Sequence, residues 1–164
     1  MTKEELTTQT PQDVTLQKCR ASLIASGGAM VMFALWTVLR SIVQIDQLNN
    51  VANSAALKPL IITVAVASLI DLVLKLYVGL SARVEGLGRG GKRPYLILGI
   101  IIAIFSLLWV IYMLVELPAA ISMYGLLEPV VTLVVEATVL YAALDLVFSA
   151  RKVRKLEEEM GRRD

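Results

Sequence analysis

The chain has 164 residues, 57% of them hydrophobic, a formal net charge of +2 and a mean hydropathy of +0.70. A single domain of this length leaves much of its surface facing solvent, so this composition excludes an ordinary water-soluble globule and points to lipid as a second solvent. With no histidine and one cysteine, Cys19, the chain can hold no internal disulfide, Cys/His zinc site, Ser-His-Asp triad or H-E-x-x-H motif.

The first stretch, Met1 to Lys18, is polar and mixes acids with bases. It lacks the short basic region and short apolar core of a cleavable signal, so the first apolar run is expected to stay as a membrane span. Residues 1–20 read as a cytoplasmic polar tail. Four apolar runs follow, at Ala21–Ile45, Pro59–Ala82, Pro94–Leu117 and Pro129–Ala150. Each exceeds the roughly 20 residues that cross about 30 Å of hydrocarbon. Pro59, Pro94 and Pro129 mark helix starts, where a missing N–H costs least.

Turn chemistry fills the gaps: Asn49, Asn50, Asn53 and Ser54 in the first, Gly86, Gly88, Gly90 and Gly91 in the second, and Gly125 within Pro118–Glu128 in the third. Such short links make antiparallel neighbours of successive helices. The glycine-rich link follows no strand, so it is neither a dinucleotide fingerprint nor a P-loop. Residues 151–164 read as a charged helical tail, with Val153, Leu156 and Met160 at helical spacing and Glu157, Glu158 and Glu159 able to pair with bases one turn earlier. A solvated helix end beside anionic headgroups is the first reading of that tail. A docking helix for a cytoplasmic partner is the second.

Charge placement gives orientation. Lys3, Lys18, Arg20, Arg83, Arg89, Lys92, Arg93, Arg151, Lys152, Arg154, Lys155, Arg162 and Arg163 fall on one side, and Lys58 stands on the other beside Asp46, Glu116 and Glu128. Both termini are therefore expected in the cytoplasm, most naturally at a bacterial cytoplasmic membrane. The basic clusters follow from topology and do not call for nucleic acid.

The halves resemble one another. Leu57-Lys58-Pro59 matches Leu127-Glu128-Pro129, Leu80-Ser81-Ala82-Arg83 matches Phe148-Ser149-Ala150-Arg151, and Arg20, Leu23, Ile24 and Trp36 align with Arg93, Leu96, Ile97 and Trp109. The expected fold is thus an all-α integral membrane protein, a four-transmembrane-helix bundle built as two parallel-repeat helical hairpins.

Five ionisable residues lie inside the spans: Arg40, Asp71, Lys75, Glu136 and Asp145. Charges there are costly, so they face the bundle and find partners. Arg40 and Glu136 sit at similar depth from the outer boundary and are expected to pair. Asp71, Lys75 and Asp145 are expected to gather in one cluster toward the cytoplasmic half. Three acids against two bases leave one carboxylate over. In the first helix Ser22, Ala25, Ser26, Gly27, Gly28 and Ala29 give a small-residue packing seam. Trp36 and Trp109 read as packing, Tyr95 and Tyr124 as interfacial anchors, and Cys19 as an inert thiol.

No connection is long enough to house water-soluble catalysis, and no cofactor is expected. The first functional reading is a non-enzymatic assembly or accessory component, joined to itself or to a larger membrane complex. The alternative is a small transporter or channel with a polar path along the second and fourth helices. A third is a membrane-embedded enzyme acting through Asp71 or Glu136.

Overall fold

The computed structural model describes residues 11–51, 58–89 and 94–161. Lys3, Asn53, Ser54, Gly90, Gly91, Lys92, Arg93, Arg162 and Arg163 lie outside the described residues, as do the side chains of Asn49, Asn50 and Tyr124. All regular structure in the described residues is helical: α1 (Pro11–Val51), α2 (Lys58–Gly86), α3 (Pro94–Tyr124) and α4 (Leu127–Gly161). All four are long and apolar enough to cross a membrane.

The prolines at the helix starts fall in the first three residues of α2, α3 and α4, where no intrahelical N–H bond is lost. Glycine stops two of the helices. Gly88 (φ 77°) ends α2, with Arg89 N–H bonded to the Val84 carbonyl at 3.2 Å and Gly88 N–H to the Glu85 carbonyl at 2.9 Å. That pairing is the Schellman arrangement, which satisfies carbonyls left open at a helix end. Gly125 (φ 79°) ends α3 with one bond from its N–H to the Ile121 carbonyl at 3.0 Å.

Three boundaries differ from expectation, the first being the end of α1, which runs through Asn49 and Asn50 to Val51 instead of turning there. The residues 11–20 of the supposed tail are the first turns of α1. The third connection does not begin at Pro118: α3 runs through Pro118 to Tyr124, leaving a link at Gly125 and Leu126. The charged tail continues α4 to Gly161 as expected. Its apolar stripe is not merely solvated, because Val153, Leu156 and Met160 pack on Leu16 and Cys19 of α1. Neither reading of the tail foresaw that its partner is the start of the same chain.

The helices lie side by side in the order α2, α1, α4, α3, with α1 packed closely on α2 and α4, and α3 on α4. Contact between α2 and α3 is sparse. The expectation that successive helices are neighbours therefore holds for the two hairpins but weakly for the pair between them. The α1–α2 seam is tight because it lacks side chains: a Cβ on Gly79 would stand 2.7 Å from the Gly27 carbonyl oxygen, and one on Gly86 2.7 Å from Ile24 Cγ1. Glycines let helix backbones approach this closely, which gains dispersion contact where lipid provides no hydrophobic drive.

The main apolar core lies toward the basic end. It comprises Leu23 and Met30 of α1, Val78 and Ala82 of α2, Tyr95, Ile102 and Ala103 of α3, and Ala142, Ala143, Leu146, Val147 and Ala150 of α4. Away from that end the helices diverge. Large apolar side chains such as Ile62, Val115, Tyr141 and Phe148 face outward, a surface suited to lipid rather than water.

Candidate functional site

Where α2 and α3 part, a cavity of about 540 Å³ opens between all four helices. Its floor toward the basic end is the packed core. Arg40 and Glu136 form part of its wall, Asp71 and Lys75 another part, and Phe33, Trp36, Phe105 and Trp109 supply aromatic surface. A smaller adjoining hollow of about 140 Å³ shares Trp36, Arg40, Gln44 and Val135, and reaches Glu128 and Thr132 near the start of α4.

Arg40 Nη1 donates to Glu136 Oε1 at 2.8 Å, joining α1 to α4 as depth matching led one to expect. Lys75 Nζ donates to Asp71 Oδ2 at 2.6 Å, one helical turn away on α2. The acid-first order suits such a pair. Thr37 of α1 completes this group: Lys75 Nζ lies 3.3 Å from its hydroxyl, which is 3.1 Å from Asp71 Oδ2 and 3.0 Å from the Phe33 carbonyl. Lys75 is 8% exposed, so its charge is sheltered, whereas the Asp71 side chain is 40% exposed. An exposed carboxylate inside an apolar helix is costly against lipid. Asp71 faces the cavity rather than lipid.

Asp145 does not join this group. It packs at the α1–α4 seam instead, where Ser22 Oγ donates to its Oδ2 at 2.7 Å and Ser26 Oγ is also hydrogen-bonded to Oδ2. The expected Asp71, Lys75 and Asp145 cluster is therefore split. Equal depth was the argument for it, but α4 turns Asp145 toward α1 while Lys75 reaches back along its own helix. The carboxylate left over in the count of acids and bases is Asp145: none of the ion pairs among the described residues includes it.

Two aromatic readings also change. Trp36 and Trp109 are not packing residues but cavity walls, 44% and 47% exposed, and Trp109 lies 5.6 Å from Tyr112, ring to ring. Tyr95 is fully buried rather than interfacial, because the basic end of the bundle closes over it. Arg154 lies 5.6 Å above its ring, a cation–π placement.

That closure has a polar clasp. Arg154 Nε and Nη2 each donate to Glu85, both at 2.8 Å, in the two-pronged geometry that guanidinium and carboxylate share. Arg20 Nη2 donates to Glu157 Oε1 at 2.8 Å. Together they tie α4 to α2 and α1. Glu85 lies beyond the apolar stretch 59–82. Burial alone raises its carboxyl, but hydrogen bonds and charge from Arg154 outweigh burial and hold it below the ordinary value of 4.5. Sequence reasoning missed the clasp, since Glu85 lies past the apolar run and is not among the ionisable residues within the spans. Its only signal was an acid among bases, one turn before the helix-ending glycines.

Fold and site together define a four-helix chain, closed at its basic end and hollowed by a charged, aromatic cavity toward the other. Compared with protein-family models, with curated proteins and with solved structures, it matches none. Among the described residues there is no group of three or more His, Cys, Asp or Glu placed to hold a metal ion.

Proposed function

We propose that this chain is a non-enzymatic multi-pass protein of a bacterial cytoplasmic membrane that binds a small polar solute in the cavity and carries it across. One observation carries the reading: a hollow of about 540 Å³ whose wall holds an Arg40–Glu136 pair and an Asp71–Lys75 pair beside four aromatic rings. That volume falls in the range of small-molecule sites, roughly 300–1,000 Å³. Two cations and two carboxylates in one wall favour a solute carrying both signs of charge, or a neutral polar one, over a simple ion. The excess of basic residues at the closed end supports a cytoplasmic position for it, with the cavity then facing outward. Passage then requires the Glu85–Arg154 and Arg20–Glu157 ties to part.

The test is uptake by proteoliposomes of a panel of radiolabelled amino acids, betaines and small amines, with and without a pH gradient. Uptake of one class, competed by its unlabelled form and abolished by Glu136→Gln, is the expected result. Protein that is well folded yet moves none of the panel and is stabilised by none would overturn the reading.

The assembly or accessory role is favoured by a different observation. Only 11% of the most apolar stretch of α2 is buried, against 28% in each of the other three helices. A second copy or a larger membrane complex would cover that face. The mass of the particle in detergent, against the 17.9 kDa chain, separates the two readings. Duplication of a helical hairpin is supported by the paired motifs.

A further inference from the structure

Between α3 and α4 the bundle surface carries an open groove of about 220 Å³, which shares no lining residue with the cavity among the four helices. On α3 it follows Ile100, Ile104 and Leu107, and on α4 Leu140, Leu144 and Phe148. Steps of three or four residues put each set on one helix face. The floor is sealed by Ala103 and Val147, both 6% exposed, while the rim stands open, with Ile104 53% and Phe148 64% exposed. Ala103 brings only a methyl to that floor, which leaves a hollow between larger neighbours.

A single polar side chain lines the groove, Arg151, at the basic end. It is the first residue beyond the apolar run Pro129–Ala150, and it is exposed. Other bases at that end are matched: Arg20 by Glu157, Arg154 by Glu85, and Lys155 by Glu159 at 3.9 Å. Arg151 enters none of the ion pairs among the described residues. No acid stands three or four residues from it on α4, the spacing at which a helical partner would be found.

An unmatched guanidinium at the mouth of an apolar groove complements an amphiphile with an anionic head. Length agrees with this. From Arg151 to Leu140 is about 16 Å along α4, close to the roughly 15 Å that one leaflet contributes to hydrocarbon about 30 Å thick. Guanidinium matches phosphate through two parallel N–H donors. Lys152, exposed and also outside the ion pairs, adds a second positive charge, which favours a net-negative head over a zwitterionic one.

We propose that this groove holds one acyl chain of an anionic phospholipid from the leaflet at the basic end, with the lipid phosphate on Arg151. Bound there, the lipid seals the α3–α4 seam. The site requires a membrane-spanning chain, but neither a solute in the cavity nor a particular side for the basic end.

Native mass spectrometry of the full chain, titrated in detergent with dioleoyl phosphatidylglycerol or dioleoyl phosphatidylcholine, tests this. One phosphatidylglycerol should bind saturably and about fivefold more tightly than phosphatidylcholine. Arg151→Gln should bring the two lipids to equal affinity, whereas Lys152→Gln, outside the groove lining, should keep most of the preference. Ile104→Trp fills the groove from its exposed rim and should weaken both lipids several-fold. Should it fail to fold, Leu107→Trp takes its place. Glycerol phosphate, a head without chains, should not compete. Equal binding of the two lipids by wild-type protein overturns the proposal, as does a preference that survives Arg151→Gln. Equal loss in Lys152→Gln and Arg151→Gln marks diffuse attraction to the basic end and overturns it too. Binding untouched by the groove-filling variant, or displacement by glycerol phosphate, removes the acyl chain from the groove and has the same consequence.

Discussion

Arg40 and Glu136 meet at 2.8 Å across α1 and α4, with side chains 30% and 17% exposed. They are neither sealed in the core nor turned to lipid. The pair stands in the wall of the cavity. Removing one partner leaves the other uncompensated, and for buried pairs this costs about 3–5 kcal/mol. Partial exposure places this pair toward the lower figure. Arg40→Ala should therefore lower the melting temperature clearly, and exchanging the two residues (Arg40→Glu with Glu136→Arg) should restore most of the loss. A double-mutant cycle by thermal unfolding in detergent measures the coupling.

The α1–α2 seam gives a cleaner packing test. Gly79→Ala puts a methyl 2.7 Å from the Gly27 carbonyl oxygen and 3.0 Å from Val31 Cγ2. Both are held by helix backbone or a short side chain, so the helices must shift. Overpacking of this kind costs about 1–3 kcal/mol. Gly28→Ala, one residue from the seam, meets nothing within 4 Å and gains helix propensity. Their melting temperatures should move in opposite directions.

The clasp at the basic end makes a pH prediction. The Glu85 carboxyl is held below its ordinary 4.5 by Arg154, so the folded chain binds its proton less readily than the unfolded chain does. The resulting stability is fully present above the unfolded value and disappears as pH falls through the lower folded one. Wild-type protein should thus lose this contribution only below about pH 4.5. Glu85→Gln should be less stable at neutral pH, and the gap to wild type should narrow in acid. Melting curves from pH 3 to 8 provide the check.

Cys19 reports on the paired helix extensions. It is 9% exposed and packs with Leu16 against Val153, so the folded chain should react with a maleimide far more slowly than the denatured chain. Val153 is fully buried. Val153→Asp places a charge in that contact and should speed labelling at least tenfold, since an unpaired buried carboxylate is strongly unfavourable. Lys152→Asp, at an exposed position one residue away, should leave the rate unchanged.

Much of the design is one-dimensional. Four helices follow from apolar runs longer than a bilayer is thick, and their limits follow from prolines that lack an N–H and glycines that accept positive φ. The Asp71–Lys75 pair follows from helical pitch alone. Even Arg40 with Glu136 was legible, because depth along a helix can be counted in residues. What counting cannot supply is rotation about each helix axis and the order in which helices stand. Those depend on which faces pack, and side chains from distant segments decide that together. Only the tertiary structure could therefore turn Asp145 toward Ser22 and Ser26 rather than Lys75, bury Tyr95 beneath Arg154, and set Val153 on Cys19. The same packing made α1 the hub of the polar network, through Arg20, Ser22, Ser26, Thr37 and Arg40. It also left α2 and α3 apart, and the cavity exists because of that gap.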